Sequence, residues 1–274
     1  MKYGVSTLAV NHLPLEPALR KISEAGFDQI EIVAEPPHFW PGDYDPAQVR
    51  AWIEALGLSA PVGHGIFSHT SPNAAALDES VRRADVERIA TCFEPLVAIG
   101  AEYVVLHPTG YAKDYTTEHR KAHVDQARRS IEELAVIGGD AGIRMAWENL
   151  PHHGADRPLH DLAELRALID DLPDHVGLCL DTTHARICGH DPLEQLNIAA
   201  DRLFCLHLHD CDGEHDCHWV PGRGLIDWGP FIDRLDELQF AGTRSIEVAA
   251  DESTFGQVLW ASRQVAGSWE DRAS

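Results

Sequence analysis

Short apolar runs recur eight times along the chain, separated by longer segments in which apolar residues have helical spacing. The runs cover residues 3–7, 29–34, 60–65, 103–108, 144–150, 176–183, 204–210 and 245–250. Such runs are typical of strands that are buried on both faces, as in a parallel sheet, rather than half-exposed. The pattern therefore predicts eight buried strands.

The segments between and after these strands have apolar residues at helical spacing and are predicted to be helices. They cover residues 15–26, 46–57, 76–100, 118–142, 159–172, 192–201, 228–240 and 254–269. Glycines in "EAGFD", "EALGLS", "AIGAE" and "DAGIR" stand where a left-handed residue would end a helix. Eight alternating units predict one α/β domain, residues 1–274, folded as a single (β/α)8 TIM barrel. A doubly wound open sheet is the rival fold, but no G-x-G-x-x-G follows the first strand.

The composition, 44% hydrophobic and 24% charged, is that of a soluble enzyme. No run reaches the roughly 20 apolar residues that a membrane span needs, and the N-terminus enters a strand without a signal sequence. We therefore expect a cytoplasmic protein with no membrane partner. The six cysteines form no C-x-x-C pair, so they are predicted to be reduced thiols. A homo-oligomer is compatible with this composition.

The charge balance restricts the class of partner. The chain has 22 basic and 44 acidic residues, a formal net charge of −22. Because nucleic-acid affinity depends on cations that neutralise phosphates, this balance opposes binding to nucleic acid and favours a small-molecule substrate.

Possible metal ligands stand at the ends of six consecutive predicted strands. They are His64, His107, Glu148, Asp181 with His184, His207 and Glu247, and the loop after the seventh strand adds Asp216 and His218. In a TIM barrel the carboxyl ends of the strands build the active site, so these side chains should meet. One such residue alone is usually a helix cap or a packing residue. Six strands that all end this way indicate a metal centre, because buried charges need partners.

The ligand types narrow the choice of metal. Carboxylates and imidazoles, with no required thiolate, suit Zn²⁺, Mn²⁺, Co²⁺ or Fe²⁺ better than Ca²⁺ or Mg²⁺. The set is large enough for one to three ions.

The motifs "HPTG", "WENLP", "GLCLDTTHA", "HLHD", "DCHWVPGRG" and "SIEV" resemble, in this order, the xylose isomerase-like TIM barrel superfamily. Its isomerase-epimerase branch, which acts on sugars, sugar phosphates and related polyols, implies one divalent ion held by Glu148, Asp181, His207 and Glu247. The resemblance also implies that the two glutamates shuttle a proton and that His184 contacts a substrate oxygen. The expected chemistry is metal polarisation of a carbonyl, proton abstraction and an enediolate.

Endonuclease IV belongs to the same superfamily and implies a different reaction. The resemblance to this enzyme implies three zinc ions, which together would use all nine positions. One zinc would be held by His64, His107 and Glu148, a second by Glu148, Asp181, His207 and Glu247, and a third by His184, Asp216 and His218. Clustered metals suit phosphoester cleavage. The net charge and the acidic segment "EPPHFWPGDYDP" favour sugar chemistry. A noncatalytic binding protein on the same barrel is a third alternative.

Four residues are candidates for substrate contact: His64, His107, Arg223 and Trp40. Trp40 could cover a sugar ring or pack within its own loop. Arg223 could bind a phosphate or hydroxyl group, or form a surface salt bridge. His207 and His209 point to the same side of a regular strand, so spacing cannot choose between them, and motif position favours His207.

Overall fold

A computed structural model of the chain describes residues 2–68, 71–110, 115–152 and 157–272. Eight parallel strands close a barrel in sequence order, and the eighth pairs with the first. They are β1 (Gly4–Ser6), β2 (Gln29–Val33), β3 (Ser59–His64), β4 (Tyr103–Leu106), β5 (Arg144–Glu148), β6 (Val176–Asp181), β7 (Leu203–Leu208) and β8 (Thr243–Ile246). The predicted (β/α)8 TIM barrel is confirmed.

The helices that the structure describes pack around the barrel. They are α1 (Leu15–Glu24), α2 (Pro46–Ala55), α3 (Glu79–Ala90), α4 (Phe93–Ile99), α5 (Arg120–Ala141), α6 (Leu162–Ile169), α7 (Thr182–Ile187), α8 (Pro192–Ala199), α9 (Trp228–Glu237) and α10 (Phe255–Arg272), with a 3-10 helix at Thr7–Val10. The predicted helix ends are confirmed at Gly26, Gly57, Gly100 and Gly142, where φ lies between 68° and 103°.

Three local predictions were wrong. The strand expected over residues 245–250 is β8, which covers Thr243–Ile246 and ends before Glu247. The single helix expected over residues 76–100 is two helices, α3 and α4, because Pro95 in the first turn of α4 has no N–H with which to continue α3. The strand expected over residues 176–183 ends at Asp181, whose side chain caps the unpredicted helix α7.

The hydrophobic core has an inner and an outer part. The inner part fills the barrel below the strand ends with Val62, Val105, Ala146, Cys179, Phe204 and Cys205. The outer part lies between the strands and the helices. Because the barrel interior is solid at its lower end, the open space lies at the carboxyl ends of the strands. Within the described residues no helix has the length and hydropathy of a membrane span.

A buried arginine joins two of the outer helices. Arg82 on α3 is fully buried and donates to Glu79, to Ser130 Oγ at 2.9 Å and to Glu133 Oε1 at 2.7 Å. Ser130 and Glu133 lie on α5, so this side chain ties α3 to α5.

We expect Arg82→Ala to lower the free energy of unfolding by about 2 kcal/mol, because buried packing and charge-assisted hydrogen bonds are both lost. Its two carboxylate partners are about 44% exposed and can be hydrated after the change. Urea unfolding measures the effect, and Arg83→Ala, an exposed neighbour on the same helix, should change stability by less than about 0.5 kcal/mol. Equal stability of the two variants would contradict the assigned role.

Candidate metal centre

Four of the predicted ligands meet at the carboxyl end of the barrel. Glu148 and Asp181 are the last residues of β5 and β6, His207 lies on β7, and Glu247 directly follows β8. One ligand atom from each lies within 4.8 Å of the others. All four side chains are buried. These residues are called the tetrad below.

His207 contacts carboxylates through both ring nitrogens. Its Nδ1 lies 3.0 Å from Glu148 Oε1 and 3.4 Å from Glu247 Oε2. On the other edge of the ring, Nε2 lies 3.0 Å from Glu31 Oε2. No role for Glu31 was predicted from the sequence. The available signal was a charged residue in the middle of the apolar strand "QIEIV".

His64 and His107, called the outer pair, face the second oxygen of Glu148. Their Nε2 atoms lie 3.6 Å and 3.1 Å from Glu148 Oε2. The other ring nitrogen of His64, Nδ1, lies 2.9 Å from the carbonyl oxygen of Gly65, to which it donates. Ligand atoms of His64, His107 and Glu148 also fall within 4.8 Å of one another.

The remaining predicted ligands, His184, Asp216 and His218, are joined through one oxygen and are called the outer triad. Asp216 Oδ2 lies 3.2 Å from His184 Nε2 and 3.4 Å from His218 Nε2. His184 Nδ1 donates to the carbonyl of Asn149, and His218 Nδ1 donates to that of Glu247, both at 2.9 Å. The structure thus brings all nine predicted residues together.

His209 also reaches the centre, which confirms that it and His207 point to the same side. Its Nε2 lies 2.6 Å from Asp181 Oδ2, and its ring stacks on His218 with centroids 4.1 Å apart and planes 3° apart. His209, His218 and Glu247 form a further group of possible ligand atoms, which lie within 4.8 Å of one another. His207, which motif position favours as the ligand, belongs to the tetrad, and His209 belongs to this second group.

Asp181 belongs to the tetrad and also begins helix α7. Its Oδ1 accepts a hydrogen bond from the backbone N–H of His184 at 2.7 Å, which is the N-cap contact of that helix. Asn149 fixes the same strand end, because its side chain bonds both the N–H and the C=O of Asp181. The backbone at this ligand is therefore fixed from two sides.

Residues 19–267 match a family model described as the xylose isomerase-like TIM barrel. The chain belongs to this family.

Known members and structures resemble this chain over most of its length. A probable endonuclease 4 from Nitratidesulfovibrio vulgaris is 30% identical over 249 residues, which cover 82% of this chain and 84% of that protein. Fructoselysine 3-epimerase from Escherichia coli O157:H7 is 26% identical over 252 residues, 90% of each chain. A solved D-tagatose 3-epimerase-like protein has a TM-score of 0.87 and 25% identity, covering 100% of this chain and 98% of that one. The similarity thus includes proteins named for two different reactions.

The two glutamates of this xylose isomerase-like barrel differ in their affinity for protons. Burial opposes charge on Glu148, but His207, His107 and His184 outweigh it and hold its pKa well below the usual range. Burial raises the pKa of Glu247, and His207 and His218 offset only part of the rise. Unlike environments of this kind divide a carboxylate pair into a proton acceptor and a proton donor.

His107 of the outer pair and His218 of the outer triad also differ in charge. Burial lowers the pKa of His107 to about 4, so this ring is neutral near pH 7 and keeps a lone pair. Burial also opposes charge on His218, but Asp216, Glu247 and Asp181 outweigh it and raise its pKa to about 9. His218 is therefore a cation at neutral pH in the chain as described.

The donor set fits a divalent transition-metal ion. Buried carboxylate and imidazole atoms converge on the centre. His64, His184 and His218 each use Nδ1 to donate to a backbone carbonyl, so in the neutral ring the lone pair lies on Nε2, the atom that would bind an ion. A site of only carboxylates and imidazoles suits Zn²⁺, Mn²⁺, Co²⁺ or Fe²⁺.

A cavity opens above the tetrad. Its walls include Leu8, Phe67, Leu150, Pro151 and Arg157, together with residues of the tetrad, the outer pair and the outer triad. Arg157, which sequence reasoning missed, donates from Nε to Thr109 Oγ1 at 2.8 Å and is buried.

Two candidates for substrate contact lie away from this cavity in the described structure. Arg223 is exposed and stacks on Trp219, with its guanidinium carbon 4.8 Å from the ring centroid. Trp40 is partly buried and packs against the hydrophobic core. Neither residue is among the walls of the cavity, whereas His64 and His107 are.

Proposed function

We propose that the protein is a divalent-metal-dependent isomerase or epimerase that acts on a small sugar, sugar phosphate or polyol-derived substrate. The observation that carries the proposal is the tetrad, in which two buried glutamates of unlike proton affinity share one ligand set. Sugar 3-epimerases among the similar proteins and structures support the same reaction class.

The proposed reaction needs proton transfer at carbon next to a carbonyl. A divalent ion on the tetrad would supply a Lewis acid that polarises the substrate carbonyl and so acidifies the adjacent C–H. We assign Glu148, whose pKa is lowered, as the proton acceptor in one direction, and Glu247, whose pKa is raised by burial, as the group that returns a proton. Return of a proton to the opposite face of the same carbon gives an epimer, and return to the neighbouring carbon gives an isomer.

The outer groups serve the substrate in this proposal. Four tetrad and triad carboxylates around one dication leave the cavity negative, and a cationic His218 offsets part of that charge. His184 is held by Asn149 and Asp216 with its ring beside Glu148, where it can orient a substrate hydroxyl or carbonyl oxygen.

A three-metal phosphodiesterase of the endonuclease IV type is the second candidate. The specific observation in its favour is that the tetrad, the outer pair and the outer triad are all assembled, together with the similarity to a probable endonuclease 4. The net charge of −22 opposes it, because a DNA backbone would meet a repulsive field.

Deuterium exchange from solvent distinguishes the isomerase or epimerase from the phosphodiesterase. Purified protein supplied with Mn²⁺, Co²⁺, Zn²⁺ or Fe²⁺ is incubated in D₂O with a panel of ketohexoses and sugar phosphates, and products are identified by NMR. We expect metal-dependent incorporation of one deuteron at the carbon that inverts or next to the carbonyl that moves. In parallel, a duplex with an abasic site should bind weakly at physiological salt and remain intact. Efficient metal-dependent nicking of that duplex, without sugar exchange, would reverse the ranking.

A further inference from the structure

Glu31 is a buried carboxylate that the proposed proton transfer does not use. It lies on β2 and is fully buried, whereas Ile30 and Ile32 on either side belong to the outer core. Because side chains alternate along a strand, Glu31 points into the barrel. There it meets His207, which is 176 positions away in the sequence.

The two ring nitrogens of His207 have different roles when the ring is neutral, because only one of them carries a proton. A neutral imidazole has one N–H donor and one lone-pair acceptor. Glu31 Oε2 lies 3.0 Å from Nε2 and, as a carboxylate, accepts the N–H there. The lone pair then falls on Nδ1, the atom that lies 3.0 Å from Glu148 and 3.4 Å from Glu247.

Glu31 is not itself part of the ligand set. The ring of His207 lies between the carboxylate of Glu31 and that of Glu148, each 3.0 Å from one ring nitrogen. Among the described residues, no group of possible ligand atoms within 4.8 Å includes Glu31. Its influence on a bound ion would therefore pass through His207.

We propose that Glu31 is a positioning residue that fixes the Nε2–H tautomer and the ring orientation of His207, so that Nδ1 is presented to the ion. The inference rests on the metal centre of the proposed function. Carboxylate partners of ligand histidines commonly act in this way, and their loss typically weakens metal binding about 10- to 100-fold.

Metal affinity tests the inference without an activity assay. Mn²⁺ binding is measured by electron paramagnetic resonance for the wild type, Glu31→Leu and Glu31→Gln. We expect Glu31→Leu to bind Mn²⁺ about 10- to 100-fold more weakly. Glu31→Gln keeps an acceptor but loses the charge, which about halves the strength of such a bond, so its affinity should lie between the two. The isosteric glutamine variant also covers the case in which the leucine variant does not fold.

The tautomer gives a second readout. In Zn²⁺-loaded protein labelled with ¹⁵N-histidine, His207 should have a protonated Nε2 in the wild type and lose that single state in Glu31→Leu. Asp85→Asn is the matched control, because Asp85 is a buried carboxylate that accepts from the Asn73 N–H at 2.9 Å and belongs to none of the ligand groups in the described structure. It should leave both readouts unchanged.

Failure of this inference and failure of the proposed function would give different results. Unchanged Mn²⁺ affinity and an unchanged His207 tautomer in both Glu31 variants would overturn the inference while the metal centre stands. A wild-type protein that binds no divalent ion would overturn both.

Discussion

Glu148→Gln and Glu247→Gln should each reduce kcat by about 10²- to 10⁴-fold, the usual contribution of a positioned acid or base. Each change keeps the shape of the side chain but removes the carboxylate that accepts or returns the proton. The assay is deuterium exchange into the substrate by NMR, with metal in excess so that weaker metal binding does not limit the rate.

Glu102→Gln is the matched control for these two variants. Glu102 is exposed and directly precedes β4, at the opposite end of the barrel from the tetrad. Its variant should turn over like the wild type, and thermal unfolding should confirm that all three variants are folded. Activity retained in both tetrad variants would rule out the glutamate pair as the acid and base.

The metal count should be about one ion per chain, lost in Asp181→Ala and retained in His218→Ala. Asp181 supplies an oxygen to the tetrad, so its removal leaves too few ligands to hold a transition metal tightly. His218 lies in the outer triad, and its loss should reduce turnover without changing the metal content. Elemental analysis of protein purified with metal supplied gives the count.

The same measurement decides between one ion and a cluster. If the wild type holds two or three ions and His218→Ala loses one of them, the outer triad is a metal site rather than a substrate site. That result would favour the phosphodiesterase over the isomerase or epimerase as the function of this protein.

The alternation of apolar strand-like runs with segments of helical spacing was enough to predict the barrel. Each β-α unit is a local sequence pattern, and eight such units close a sheet into a barrel. The cluster at the strand ends could also be predicted, because six consecutive strands end in a possible ligand, whereas one such residue alone is usually a helix cap or a packing residue. Helix α7 was missed because the cap that begins it, Asp181, is also a predicted ligand at a strand end.

Contacts between distant strands were beyond sequence reasoning. The pair of Glu31 and His207 depends on the register of β1, β2, β7 and β8 around the closed barrel. The contact of His209 with Asp181 likewise depends on side-chain direction at the end of β7. Trp40 and Arg223 were chosen for their chemistry near the motifs, but packing of their loops sets where they point.

With an ion bound at the proposed metal centre, the cap of α7 would couple ion binding to local unfolding of this helix. Asp181 holds the first turn of α7 through Oδ1 while its Oδ2 faces the centre, so opening of that turn frees the carboxylate to rotate away from its ligand position. An ion that binds only the closed form, at 100 times its Kd, would stabilise that form by about 2.7 kcal/mol. The backbone amide of His184 would then exchange with solvent about 100-fold more slowly when the centre is filled.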